Sequence, residues 1–381
     1  MEMKNIETKS LQFVEAVALL VGTVVGAGFL GIPFVVARVG LILGLLLIIG
    51  IGLLAMILFL VVTEITLRTK TKHQIPGYIS QYLGPKWRKF TFIVLLSGGY
   101  GALLSYLVGE GQVLSAIFGG PPIIYSVLFF AVTAVFVFRG LKTIELVDLF
   151  LILFMALVVI LIGLLSANSI QYQNLSHFNL AGILPAYGVI LFSFLGVSAV
   201  PEMRAILTRK EKQLPKAVFI AVFIPMIIYV LFTVAVVGVN GVDTSPVATI
   251  GLGQALGRNV EIVGNILAVI TMTTAFLGMG LAMKETYHYD LKVNKNLAWG
   301  LTMSVPFILL LLGLTNFTTI LSLVGSLFGG IMGVLIIVTW WKAKKLGDRK
   351  PEFILHHKKL FGYLLIIVFS LGFIYTVFDL L

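Results

Sequence analysis

The chain has no cysteine, which excludes disulfides, thiolate metal sites and cysteine nucleophiles. Charge is scarce too. Asp, Glu, Lys and Arg together make up 11% of the 381 residues, against roughly 25% in a soluble domain. With 59% hydrophobic residues and a mean hydropathy of +1.08, there are too few polar groups to cover a globular surface. The five histidines fall between the apolar runs, and the adjacent pair His356–His357 lies beside lysines, as on a solvated face, so no metal centre is expected. No phosphate loop, nucleotide motif or serine nucleophile with an accessible base occurs. An intramembrane enzyme needs at least two convergent catalytic groups, and a channel needs a filter or a ring of like charges. The sequence has neither pattern, so no enzyme activity and no cofactor are expected.

What is present is a succession of apolar runs near the ~20 residues that cross a bilayer core as a helix. They lie at about 13–37, 39–62, 90–118, 123–138, 144–165, 183–201, 217–239, 262–283, 297–314, 317–341 and 360–380. No soluble domain fits between them, so residues 1–381 read as one all-α membrane domain of about eleven spans. The opening MEMKNIETKSLQ has mixed charge and no small-residue cleavage pattern, and no cleaved signal peptide is expected. With the N-terminus inside, 25 of the 27 Lys and Arg fall on the cytoplasmic side, leaving Arg38 and Arg258 outside. That is the positive-inside pattern of a cytoplasmic-membrane protein, and an odd number of spans puts the C-terminus outside. The net charge of +11 is therefore a topology signal. The run Lys342, Lys344, Lys345, Arg349, Lys350 faces the lipid bilayer surface rather than nucleic acid, and Trp87, Trp340 and Trp341 stand where interfacial anchors belong.

Lipid offers no hydrogen bonds, so a spanning helix normally satisfies its own backbone. The first span departs from this: Gly22-Thr23-Val24-Val25-Gly26-Ala27-Gly28-Phe29-Leu30-Gly31-Ile32-Pro33 carries four glycines and a proline in mid-membrane. Glycine permits unusual backbone and close approach of a ligand, and Pro33 removes a donor. A small-residue packing seam is the other reading. The sixth span has a second interruption, Phe192-Ser193-Phe194-Leu195-Gly196-Val197-Ser198-Ala199-Val200-Pro201. Spans one and six correspond if the chain is two inverted five-span repeats (about 11–167 and 180–341) plus an extra helix at 360–380. Paired broken helices are the sequence pointer to a midplane binding site in a secondary transporter. Free N–H groups at the start of a half-helix suit a carboxylate, and free carbonyls at the end of one suit a cation or an amine. An amino acid matches both.

The runs GTVVGAGFLGIPFVVARVG, YGALLSYLVGEGQVL and FSFLGVSAVPEM resemble the first, third and sixth spans of the amino acid/polyamine/organocation superfamily. Within it they most resemble the aromatic and hydroxy amino acid permease branch and its amino acid/auxin permease relatives. The resemblance implies the leucine-transporter-like fold of two inverted repeats. It implies that Ala27 and Gly28 offer amides to the substrate carboxylate, with Thr23 and Gly26 in the same break. Phe192, Ser193, Phe194 and Gly196 match the substrate-lining stretch. The third-span contact is Tyr100, Tyr106 or Gly109, with Tyr106 taken as the candidate. The Gly22 and Val25 carbonyls match a cation position that hydroxyls of Thr271, Thr273 and Thr274 in span eight would complete. Oxygen ligands suit hard cations, although threonines also bond their own helix.

Glu110 is the one carboxylate well inside a span, ~12 Å from the outer end of span three at 1.5 Å per residue. An intramembrane acid is costly and is a functional candidate by default: either it carries a proton through the cycle, or it anchors broken backbone nearby. Glu15 and Glu64 lie nearer the cytoplasmic boundary and are expected to face water. Gly98-Gly99 and Gly329-Gly330 read as close helix packing, and SPVATIGLGQALGRN as a short outer helix that helps close an external vestibule. The expected function is secondary active transport of amino acids, aromatic or large neutral ones by branch resemblance, driven by H+ or Na+ through alternating access. The rival is an amino-acid-sensing receptor subunit on the same fold.

Overall fold

The computed structural model describes residues 2–140, 145–175, 177–356 and 359–380; His357 lies outside them. In chain order the helices are α1 (Glu2–Val24), α2 (Gly28–Val39), α3 (Leu41–Leu67), α4 (Ile75–Leu83), α5 (Pro85–Phe118), α6 (Pro122–Arg139), α7 (Glu145–Ser166), α8 (Ile183–Ser193), α9 (Ala199–Ile206), α10 (Leu214–Asn240), α11 (Leu252–Leu256), α12 (Arg258–Glu285), α13 (Lys295–Leu311), α14 (Phe317–Leu323), α15 (Gly330–Leu346) and α16 (Lys359–Leu380). Among the described residues eight helical runs are long and apolar enough to cross a membrane, and α1 with α2 makes a ninth span bent by 54°. Two shorter apolar helices, Leu180–Ser193 and Lys295–Leu311, stand where the sixth and ninth spans are expected.

The helix contacts follow the order of an inverted repeat. Half-helix α1 packs on α9 while α2 packs on α8, α3 pairs with α10, and α5 pairs with α12. The contact of α7 with α1 is matched by that of α14 with α8, and α7 on α10 by α15 on α3. Each pair joins a span to the one five places along, or maps onto its equivalent in the other half. Two groups result: α1, α2, α3, α8, α9 and α10 form one bundle, and α5, α6, α12 and α13 form a second. The spans α7 and α14–α15 touch both.

Close approach rests on small residues, as membrane packing requires. A Cβ on Gly98 would meet Phe328 at 3.2 Å, one on Gly99 would meet Met283, and one on Gly330 would meet the Phe369 carbonyl at 3.0 Å. The expected outer helix is the short α11, and in the same loop the Ala248 N–H donates to the Leu30 carbonyl of α2 at 2.9 Å.

The basic loops are bound into one face. The Lys70 N–H donates to Asp348 Oδ1 at 2.8 Å, Lys72 Nζ to Thr208 at 2.9 Å, and Arg349 to the Leu67 carbonyl at 3.1 Å. Arg204, 3% exposed, donates to the Thr66 and Thr69 carbonyls at the end of α3, where a helix presents its negative pole. The expectation for Glu64 is corrected here. It is fully buried, accepting from Arg68 Nε (2.7 Å), Trp340 Nε1 (2.7 Å) and the Leu355 N–H (3.1 Å). Hydropathy places Glu64 near water, but the 347–355 segment folds back over the end of α3 and covers it.

Helix α4 lies between the second and third apolar runs. Its signal was in the sequence: Ile75, Tyr78, Ile79 and Tyr82 repeat at helical spacing, with Pro76 in the first turn, and all four are buried, which is the stripe of an amphipathic helix.

Candidate functional site

The first span opens where its glycines predict. Helix α1 ends at Val24, Val25–Ala27 are non-helical, and α2 starts at Gly28. The Val25 N–H closes the last turn on the Val21 carbonyl at 2.9 Å, and the Leu30 N–H bonds the Ala27 carbonyl at 3.1 Å. By helix geometry the leading N–H groups of α2 have no intrahelical acceptor, and they sit at its positive pole. The sixth span opens between Ser193 and Ala199, and the Ala199 N–H turns back to the Gly196 carbonyl at 3.0 Å.

One side chain joins the two openings. Tyr229, 1% exposed on α10, points its hydroxyl at the Ser193 carbonyl (2.9 Å) and the Val24 carbonyl (3.2 Å). These are the last helical residues of α8 and α1, so one O–H caps the negative ends of both half-helices. Sequence reading missed Tyr229. Its signal was a lone hydroxyl in the otherwise apolar run FIPMIIYVLF.

Between the openings lies a cavity of about 140 Å³. A water needs ~10–15 Å³ of such space, so the volume suits a small organic molecule. Five of the nine predicted substrate residues line it: Thr23, Gly26, Tyr106, Phe192 and Gly196. A Cβ on Gly26 would stand 3.1 Å from the Tyr106 hydroxyl, so the glycine leaves room at the α5 wall. This selects Tyr106 among the three third-span candidates as the one against the break. Tyr100 instead bonds the Tyr287 hydroxyl at 2.6 Å, and Gly109 packs toward Met272 and Phe317.

The other four predicted residues lie behind the cavity wall. Ser193 returns its hydroxyl to the Val189 carbonyl at 2.8 Å. Phe194, 1% exposed, stacks edge-on against Tyr229 with centroids 5.2 Å apart. Ala27 is fully buried, and a Cβ on Gly28 would run into Ser193, 2.7 Å from its Cα. Gly28 thus serves the approach of the two broken spans, the packing role weighed above. Val324–Gly329, a π-helical turn between α14 and α15, adds Val324, Phe328 and Gly329 to the wall; such turns cluster at functional sites. Of the lining from α5 and α12, Val94, Leu95, Gly98, Gly99 and Met279 come from the halves of those helices nearest the basic face, while Ala102 and Tyr106 lie past the middle of α5; Thr23 at the edge is exposed.

Glu110 lies one helical turn beyond Tyr106 on α5, a spacing that puts both on one face. It is fully buried. Oε1 accepts from the Thr273 hydroxyl at 3.0 Å, and Oε2 is buried without a partner among the described residues. The three threonines of α12 therefore divide. Thr273 faces Glu110, while Thr271 and Thr274 donate to their own helix, at 2.9 Å to the Leu267 carbonyl and 3.0 Å to the Thr271 carbonyl respectively. A hydroxyl that donates this way keeps its lone pairs. Gly22 lies in the last turn of α1 and Val25 is the first residue of the opening.

A family model for the tryptophan/tyrosine permeases matches residues 9–378. The chain is similar to the "Tyrosine-specific transport system 1" of Haemophilus influenzae, 25% identical over 391 residues and covering 94% of each chain. It is similar also to the "Glutamine transporter 2" of Aliivibrio fischeri, 26% identical over 362 residues and covering 91% of each. In fold it matches MhsT, solved in complex with L-phenylalanine, with a TM-score of 0.68 at 16% identity over 96% of this chain and 98% of that one. The match in fold bears out the leucine-transporter-like architecture that the paired breaks and the helix contacts describe. This chain belongs to the tryptophan/tyrosine permease family, a multi-pass membrane transporter and not an enzyme.

Proposed function

We propose that the protein takes up amino acids across the cytoplasmic membrane, aromatic or large neutral ones by preference, through alternating access coupled to H+ or Na+. The observation that carries this reading is the meeting of two helix interruptions, with opposite poles exposed, around one cavity. The substrate carboxylate meets the positive pole at the start of α2 where Gly26 opens the cavity wall; contact with the Ala27 and Gly28 amides, which stand behind that wall here, requires the two bundles to move. The ammonium competes with the Tyr229 hydroxyl for the Val24 and Ser193 carbonyls. Tyr106 and Phe192 supply aromatic walls. The names of the tyrosine and tryptophan transporters among the similar proteins support an aromatic side chain, and the glutamine transporter keeps other neutral ones in play.

With the basic face cytoplasmic, the N-terminus is inside, the C-terminus outside, and the cavity lies on the inner side. Motion of the α1–α3/α8–α10 bundle against the α5/α6/α12/α13 group would expose it alternately. Glu110 favours a proton as the coupling ion, because a charged carboxylate with a partnerless oxygen in mid-membrane is costly and protonation removes the charge. The sodium alternative uses the Gly22 and Val25 carbonyls with Thr271, Thr273 and Thr274.

Reconstituted in vesicles, the protein should accumulate labelled tyrosine, tryptophan or phenylalanine under an imposed pH gradient or, on the alternative, under a sodium gradient. Thermal stabilisation by an amino acid without accumulation under either gradient would identify a sensor subunit instead. Absence of both responses would overturn the reading.

A further inference from the structure

We propose that the groove between α4, α5, α15 and α16 at the basic face binds an anionic two-chain phospholipid. This groove is separate from the substrate cavity and has a volume of about 520 Å³, too large for a lone ion. Its walls are Phe90, Val334, Val338, Phe369 and Phe373, and Ser370 and Tyr82 bring the hydroxyls. Along α15 it runs from Lys342 to Gly330, twelve residues or ~18 Å at 1.5 Å each. One leaflet of a bilayer core is about 15 Å, half of ~30 Å. The groove therefore starts at the interface and ends near the midplane, the extent of an acyl chain.

Its mouth has the chemistry of a headgroup site. A second recess, about 300 Å³, shares Val338 and Lys342 with the groove and adds Trp341, Lys345 and Tyr363. Lys342 and Lys345 are exposed, and among the described residues no carboxylate lines either recess. Three other cations on this face are already engaged: Arg68 with Glu64, Arg349 with Glu352, and Lys344 with the Leu355 carbonyl and the Trp340 ring. Trp87 and Tyr363, 44% and 53% exposed, flank the mouth at headgroup depth, where amphipathic rings settle. Basic pockets between spanning helices on the cytoplasmic side recognise anionic headgroups. A zwitterionic lipid would fill the same groove but bring a second cation to the two lysines.

The test uses the full chain, purified in detergent and stripped of co-purified lipid. Thermal unfolding and native mass spectrometry compare phosphatidylglycerol, phosphatidylcholine with the same chains, short-chain phosphatidylglycerol, and inorganic phosphate. Long-chain phosphatidylglycerol should be retained and should raise the unfolding temperature by at least twice the phosphatidylcholine effect; phosphate and the short-chain lipid should do neither. The double variant Lys342→Glu/Lys345→Glu should lower the phosphatidylglycerol effect to that of phosphatidylcholine, and Val338→Trp should reduce retention of both lipids. Equal effects of the two headgroups, reproduction by phosphate alone, or an undiminished effect in the lysine variant would overturn the proposal. Should the double variant not fold, the comparison of headgroups and chain lengths on the unaltered chain decides by itself.

Discussion

Glu110 and Tyr229 carry opposite kinds of polarity into the same part of the membrane. Glu110 is an acceptor with one oxygen engaged by Thr273 and the other unmatched; Tyr229 is a single donor aimed at two carbonyls. If Glu110 is the proton carrier, Glu110→Gln should abolish accumulation driven by a pH gradient and spare exchange of labelled for unlabelled substrate. Undiminished pH-driven accumulation in that variant would exclude the role. Tyr229→Phe removes the donor that the Ser193 and Val24 carbonyls share, so the substrate-free protein should lose about 1–3 kcal/mol of stability in a denaturation assay. Stabilisation by substrate should persist or grow, because the ammonium then meets uncapped carbonyls. Loss of substrate stabilisation would instead make the hydroxyl part of the bound-state site.

At the scale of elements, the broken spans are held by contacts that differ from end to end. The α2 and α8 halves touch at Gly28 and Ser193, where there is no room for a methyl group. Gly28→Ala must push two spans apart, and overpacking of this kind typically costs 1–3 kcal/mol. It should lower the unfolding temperature and weaken substrate-dependent stabilisation together. Gly50→Ala on α3 makes the control, since nothing lies within 4 Å of its added carbon; its unfolding temperature should not fall. A Gly28→Ala protein as stable as the parent would show that these two spans do not meet as described. At the basic end, α9 is bound to α3 through Arg204 and the Thr66 and Thr69 carbonyls, which fastens one half of the sixth span to the bundle.

For the whole molecule, the absence of cysteine becomes an experimental asset, because a single introduced thiol reports which side of the membrane it faces. Lys212 and Asp243 are both exposed and bracket α10. In intact cells a membrane-impermeant thiol reagent should label Asp243→Cys, while Lys212→Cys should react only after the membrane is opened. The reverse pattern would invert the orientation read from the charges. The same helix shows why some features were legible early and others were not. A span such as α10 is apolar along its whole length, so its position follows from composition. Tyr229 within it is an unremarkable residue until the fold brings two helix ends to its hydroxyl.

The sequence by itself determined the spans, the side on which the cations gather, and the two places where helix gives way. Each depends on neighbours in the chain: runs of apolar residues, charges between them, and glycine and proline set into two of the apolar runs. Tertiary structure decided which residues share a cavity and which stand behind it. It placed Tyr106 against Gly26 and turned Phe194 toward Tyr229. It assigned Gly28 to packing, gave Thr273 to Glu110, and covered Glu64 with a segment almost three hundred residues away in the chain. Those outcomes depend on the direction of side chains between helices distant in sequence, and hydropathy and local spacing do not encode that direction.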